Sequence, residues 1–159
     1  MMLSPIDHLQ IMRIIPLYCQ YLDDGHVDGL TALFAEDGVL APRFDGGYVI
    51  HGRTEIGVWF ARYNAIMSSG FRHLSHVTSP PVIEISGDSA ISKCHFTANF
   101  VSNENGQAQT AHGRYWDRFV RSNGGWFIAE HQIDVYYTKV GGDAIETFAT
   151  GVFIEPMKS

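Results

Sequence analysis

Between residues 6 and 22 the apolar positions Ile6, Leu9, Ile14, Leu17, Tyr18, Tyr21 and Leu22 recur at steps of three and four. That period predicts an amphipathic helix with one buried face. "SPID" is a helix start: Ser4 caps, Pro5 fits the first helical position, and Asp7 favours the positive end of the dipole. Pro16 removes one backbone donor inside the pattern and predicts a kink. "DDG" closes the helix, with Gly25 free to adopt the left-handed conformation. A short second helix turns Val27, Leu30, Leu33 and Phe34 inward and ends at "AEDG". "VLAPRF" and "YVIHG" read as short strands around the turn "DGG". A third helix, "GRTEIGVWFARYNAIM", puts Ile56, Trp59, Phe60, Tyr63 and Met67 on one side.

From Phe71 the period changes to two. Strands are expected over 71–79, continuing past Pro80 and Pro81 to 85, then over 89–102, 109–121 and 126–138. "SGD", "SNENGQ" and "SNGG" supply the turns. Three helices followed by an antiparallel meander predict an α+β fold, with the helices on one face of a strongly curved sheet. One domain spans 1–159, its core about 6–138, and the tail 139–159 carries no strong signal. Parity places Phe127, Ala129, His131, Ile133 and Val135 on the apolar face of the last strand. It also turns Cys94, Phe96, Ala98, Phe100, Gly113, Tyr115 and Phe119 inward. Large aromatics mixed with Ala and Gly leave room for a cavity.

Composition narrows the function classes. The chain has 159 residues, 45% of them hydrophobic and 13% aromatic, and a formal charge of -6. Interspersed acidic and basic residues exclude a nucleic-acid surface, which needs a basic stripe. No apolar run approaches the ~20 residues of a membrane span. With no secretory signal and only two cysteines, Cys19 and Cys94, a cytoplasmic protein is expected. Eight histidines raise the question of a metal, but no ligand spacing of the H-E-x-x-H kind is present, so no metal site is expected. Neither a G-x-G-x-x-G after a strand nor a P-loop occurs, so no nucleotide cofactor is expected.

"YCQYLDDGHVDGLTALFAEDGVL", "HGRTEI", "RHLSHV", "GDSA" and "GRYWDRFVRSNGGWFIAE" together resemble the SnoaL-like branch of the nuclear transport factor two-like superfamily. That branch is similar to scytalone dehydratase, bile acid 7α-dehydratase and the hexachlorocyclohexane dehydrochlorinase. The resemblance covers about residues 6–137 and implies a cone of curved sheet, cystatin-like, closed by helices around a pocket. It implies a cofactor-independent lyase of the dehydratase type, acting on a small hydrophobic, aromatic or polycyclic alcohol. It pairs Asp23 with His73 and matches Tyr18 to a conserved tyrosine of the bile acid enzyme. The position of a second histidine in scytalone dehydratase falls on Phe100 here, and its first-strand tyrosine falls near Pro42, with Tyr48 as a substitute.

An Asp–His pair fixes the imidazole tautomer and leaves the other ring nitrogen as a base, worth ~10²–10⁴-fold when positioned. On that reading His73 is the base, Asp23 its partner, and Tyr18 hydrogen-bonds the oxygen that gains charge. His131, Tyr115, Phe100, Phe96, Trp59 and Tyr48 would contact substrate. An isomerase uses the same parts. A non-catalytic ligand-binding module and a dioxygenase β-subunit-like module share the fold. An outer sheet face carrying Ile91, Val101, Trp116 and Ile128 suggests a homodimer or homotrimer.

Overall fold

The computed structural model describes residues 5–45 and 47–146. Ser4, expected as the helix cap, and the end of the tail lie outside them. Helix α1 is Pro5–Asp23, α2 is Val27–Ala32 and α3 is Arg53–Gly70. The strands are β1 Phe34–Pro42, β2 Ile50–His51, β3 Phe71–Thr78, β4 Val82–Ser86, β5 Ser89–Ser102, β6 Ala108–Ser122, β7 Gly125–Val140 and β8 Asp143–Glu146.

The buried stripe of α1 is Ile11, Ile14, Ile15, Tyr18, Cys19 and Leu22. Ile6 and Leu9, expected inward, are 66% and 64% exposed. The place they would take is held by Asp7, which accepts from the Arg121 guanidinium at 2.6 Å and the Trp126 indole at 3.0 Å. Arg121 and Trp126 hold the Asp7 carboxyl below its ordinary range. A charge-assisted clamp between the first helix and the last strands therefore sets the rotation of α1.

The strands pair in the order β2-β1-β7-β6-β5-β3, with β4 on β5 and β8 on β7. The meander is antiparallel as its turns dictate, but β1 runs parallel to β7, so the sheet is mixed. The chain reaches β7 only after passing through α3 and the whole meander, and β7 then lies beside β1 in the same direction, with the short β2 at the edge. Phe34, expected in α2, already pairs with Ile128. Strand β8 lies in the tail, where no element was expected. Helices and the inner sheet face share one core that includes Ile11, Tyr18, Phe60, Phe96, Tyr115 and Ile133.

Three register shifts decide which side chains enter that core: Arg72/Ser75 on β3, and His112/Gly113 and Arg118/Phe119 between β6 and β7. A bulge adds a residue to one strand and reverses the alternation beyond it. Trp126 and Ile128 therefore face inward along with His131, Ile133 and Val135. Ile128, assigned to the outer patch by strict alternation, is fully buried, while Ile91, Val101 and Trp116 are half-buried. At Gly113 a Cβ would sit 2.0 Å from the Asp134 carbonyl oxygen and 2.8 Å from the Phe96 ring. Only glycine lets β6 approach β7 that closely.

Candidate functional site

Asp23 is the last residue of α1. Gly25, at φ 68°, turns the chain sharply behind it, and the His26 N–H returns to the Tyr21 carbonyl at 2.8 Å. Asp24 points to solvent and accepts from the Gln20 amide at 3.1 Å. Asp23 reaches across to β3 instead. Its Oδ2 accepts the backbone N–H of His76 at 2.8 Å, and its Oδ1 lies 2.6 Å from His76 Nδ1. The ionised carboxylate can only accept, so Nδ1 carries the proton and Nε2 is left as the basic nitrogen. The imidazole is 5% exposed and stands in the wall of a cavity.

The partner of Asp23 is thus His76, not His73. Phe71 packs against Phe100 with ring centroids 4.9 Å apart. Uninterrupted alternation from Phe71 would then carry His73 inward. The bulge between Arg72 and Ser75 spends one residue, His73, in a left-handed conformation at φ 59°. Beyond it the inner positions are Leu74, His76 and Thr78, and His73 is exposed. His73 came from the family resemblance, and no glycine or proline marks the irregularity that turns it outward.

The cavity measures about 370 Å³. Its wall includes Trp59, Phe96, Phe100, Ile133 and Val135, and its polar groups are His76, Thr138 and the phenols Tyr18, Tyr63 and Tyr115. Phe96 stacks on Tyr115 at 4.3 Å, and Trp59 stacks on Tyr63 at 5.3 Å. The Trp59 indole donates to Asp45 at 2.8 Å, as does Arg62 at 2.7 Å, which ties the β1–β2 loop to α3. Phe44 of that loop adds to the cavity wall. Burial pushes the Tyr18 and Tyr115 hydroxyls well above the ordinary phenol range. Burial, with the nearby Asp23 charge, pushes Tyr63 up to about 12. All three remain protonated donors at neutral pH. No lysine or arginine is among the described lining residues. Tyr48 is 64% exposed and lines a separate shallow depression on the surface with His51 and Arg62. It lies two residues before β2, outside any strand, and its side chain is not among those that line the cavity. Tyr63 was not singled out from sequence as a site residue, although its helical spacing put it on the buried face.

Behind the cavity floor lies a second carboxylate–imidazole pair. His131 Nδ1 is 2.5 Å from Asp117 Oδ1, and the Ser92 hydroxyl donates to Asp117 Oδ2 at 3.1 Å. His131 and Asp117 are fully buried. The His131 ring lies 4.5 Å from Tyr18 and 4.8 Å from Tyr115. His131 is therefore screened from the cavity by the two phenols. Asp117 and Ser92 were missed, yet the count that turns Tyr115 and Phe119 inward turns Asp117 inward too. A buried acid at such a position signals a buried partner. Among the described residues no three His, Cys, Asp or Glu side chains converge to hold a metal. Cys19 and Cys94 are buried free thiols, and burial raises both, Cys19 to about 12. No described helix is long and apolar enough to cross a membrane.

Known structures share this architecture. A candidate scytalone dehydratase from Novosphingobium aromaticivorans superposes with a TM-score of 0.77 at 20% identity, covering 94% of this chain and 96% of that one. A type 2 hexachlorocyclohexane dehydrochlorinase gives 0.74 at 15% identity, covering 94% and 100%. A protein of unknown function with a cystatin-like fold from Nostoc punctiforme gives 0.67 at 27% identity, covering 85% and 95%. No curated protein matches. The SnoaL-like domain family matches residues 6–132. With that match over most of its length, the chain belongs to the SnoaL-like domain family.

Proposed function

We propose that the protein is a cofactor-independent lyase that eliminates water or another small fragment from a small, uncharged, hydrophobic alcohol. The observation that carries this reading is the grip of Asp23 on His76, at 2.6 and 2.8 Å, at the wall of an aromatic cavity. His76 Nε2 takes a proton from the substrate carbon while Asp23 stabilises the imidazolium. The phenols of Tyr18, Tyr63 and Tyr115 hydrogen-bond the oxygen that gains charge. The resemblance in fold to a dehydratase and a dehydrochlorinase supports elimination. Isomerisation, in which His76 returns the proton to another carbon, would use the same groups. The absence of a basic side chain among the described lining residues favours an uncharged substrate over a carboxylate or a phosphate. Assembly through the outer sheet face, around Ile91, Val101 and Trp116, completes the reading.

The test is turnover of a panel of aromatic and alicyclic alcohols and ketones by the wild type and by His76→Ala, Asp23→Asn and His73→Ala. A substrate is expected whose turnover falls ~10²–10⁴-fold in the first two and holds in the third. Equal turnover by His76→Ala and the wild type overturns the mechanism.

A further inference from the structure

One row of residues crosses the sheet under the cavity. His76 on β3 pairs with Ala98 on β5, Ala98 with Ala111 on β6, and Ala111 with Thr138 on β7, and all of them line the cavity. Both ends of the row are placed by register shifts. The bulge at His73 turns His76 inward. On β7 the pairing passes from Gly113 with Val135 to His112 with Tyr137, so the strand spends Tyr136 as an extra residue. Thr138 therefore lines the cavity where strict alternation would put Tyr137. A short hydroxyl side chain stands at the far end in place of a bulky phenol. Between the two ends the floor is only methyl groups. The large neighbours along β5 have ring partners of their own: Phe96 stacks on Tyr115 at 4.3 Å, and Phe100 packs against Phe71 at 4.9 Å. Trp59, Tyr63 and Met67, spaced by four along α3, line the same cavity from the helix side.

We propose that Ala98, Ala111 and Thr138 are specificity-determining residues: the alanines keep a flat lane open along the floor, and the Thr138 hydroxyl receives a second polar group of the guest, at the end remote from the reacting carbon. This rests on the reading of the cavity as a substrate site with His76 as its base. Adjacent strands lie about 4.8 Å apart, so three steps put the Cα atoms of His76 and Thr138 at most about 14 Å apart along the floor. A contact of about 3 Å at each end leaves at most about 8 Å for the guest, enough for two fused rings with an oxygen at each end. A single ring reaches one end only, and a third ring overruns the lane. Side chains on the inner face stand perpendicular to the sheet, so anything longer than a methyl group at Ala98 or Ala111 occupies the lane itself. A threonine hydroxyl both donates and accepts, so it takes a hydroxyl, a carbonyl or an ether oxygen alike. The row thus fixes where the second polar group lies and leaves its identity open. Ala98 is buried while Ala111 and Thr138 are half-buried, so the Thr138 end is the one nearer the mouth.

The experiment compares the binding of 2,6- and 2,3-dihydroxynaphthalene by calorimetry. The isomers share every group and differ only in whether the second hydroxyl lies at the opposite end. The wild type is expected to bind the 2,6 isomer about fivefold more tightly. Thr138→Val keeps the branched shape and suits a strand, but removes the hydroxyl; it is expected to bind both isomers equally. Thr138→Ser returns the hydroxyl and is expected to restore the preference. Ala111→Leu is expected to weaken the 2,6 isomer about tenfold or more, because one ring loses its place on the floor. Phenol needs only the His76 end, and its binding is expected to change less than about twofold in the same variant. A wild type that binds the isomers equally overturns this proposal and leaves the cavity reading standing. So does a preference that survives Thr138→Val, or an Ala111→Leu variant that binds the 2,6 isomer as the wild type does. Failure of the wild type to bind either isomer or phenol overturns both.

Discussion

Replacing Asp23 by Asn changes one atom and removes the charge that two donors share. The carboxylate accepts the His76 backbone N–H at 2.8 Å and the ring Nδ1–H at 2.6 Å. An amide has one oxygen, so one of the two donors meets an N–H₂ instead. Hydrogen bonds to a charged group contribute about 1.5–3 kcal/mol each, and a buried donor left unpaired costs about 1–3 kcal/mol. The Asp23 side chain is 16% exposed and the His76 side chain 5%, so water recovers little of the loss. The expected cost is about 2–4 kcal/mol, a drop in Tm of about 5–15 °C for a chain of this length. Thermal and urea denaturation measure it. Asp24→Asn is the control: it loses only an exposed contact with Gln20 and should stay within about 0.5 kcal/mol of the wild type. Turnover separates stability from chemistry, because with Asn the Nδ1 proton is no longer held and the basic nitrogen is no longer fixed. If Asp23→Asn melts with the wild type while Asp24→Asn melts early, the carboxylate that matters has been misidentified.

The bulges make their own predictions. Gly113→Ala drives a methyl group against the Asp134 carbonyl at 2.0 Å, backbone that cannot step aside, and should cost about 3 kcal/mol or more in urea denaturation. His73→Gly should stabilise by about 0.5–1 kcal/mol with turnover intact, because a left-handed residue at φ 59° gains from losing its Cβ; a destabilised or inactive variant refutes that account of His73. Stability should also fall in alkali. Burial raises the Cys19 thiol from 9.0 to about 12 and the Tyr63 phenol from 10.0 to about 12. Both groups stay protonated in the folded chain after they ionise in the unfolded one. Their contribution is therefore full below pH 9 and is lost as pH rises through 12, by up to about 1.4 kcal/mol per unit for each group. Urea midpoints measured from pH 8 to 11 should fall, and Cys19→Ala should flatten the first part of the slope.

The architecture was legible because it rests on periods that the sequence carries openly. The three helices show as recurrences of three and four, and the meander shows as alternation between marked turns. The parallel β1–β7 contact was not legible, since pairing direction at a sheet edge depends on where distant segments end in space and leaves no mark within either strand. At the site, Asp23 was assigned by the family resemblance, which puts an acid at the end of the first long helix. Its histidine, carried over from the resemblance as His73, lies three residues short of His76, because the unmarked bulge at His73 moves the inner positions of the strand to Leu74, His76 and Thr78. Ile128 and Trp126 went to the wrong face for the same reason. Asp117 was legible and passed over: its parity was correct, but an acid was not expected among Tyr115 and Phe119.

The charges around Tyr18 bear on how an elimination would run. Burial does most to raise its hydroxyl, and Asp117 and Asp23 add to the effect from two sides. A phenolate there, or a lasting oxyanion on a guest beside it, faces two carboxylates and no described lysine or arginine in the cavity wall. Charge of that kind is costly in a site with little water to screen it. The arrangement favours a course in which His76 Nε2 takes the proton from carbon while a cavity phenol hydrogen-bonds the departing oxygen, and the imidazolium then gives its proton to that oxygen, so that water leaves and no negative charge is left between them. A slow first step through a free enolate would want a cation beside its oxygen, and no lysine or arginine is among the described lining residues. A primary isotope effect on the C–H bond, together with a solvent isotope effect on the same step, is what the concerted course requires. A wash-in of solvent deuterium into unreacted substrate would contradict it.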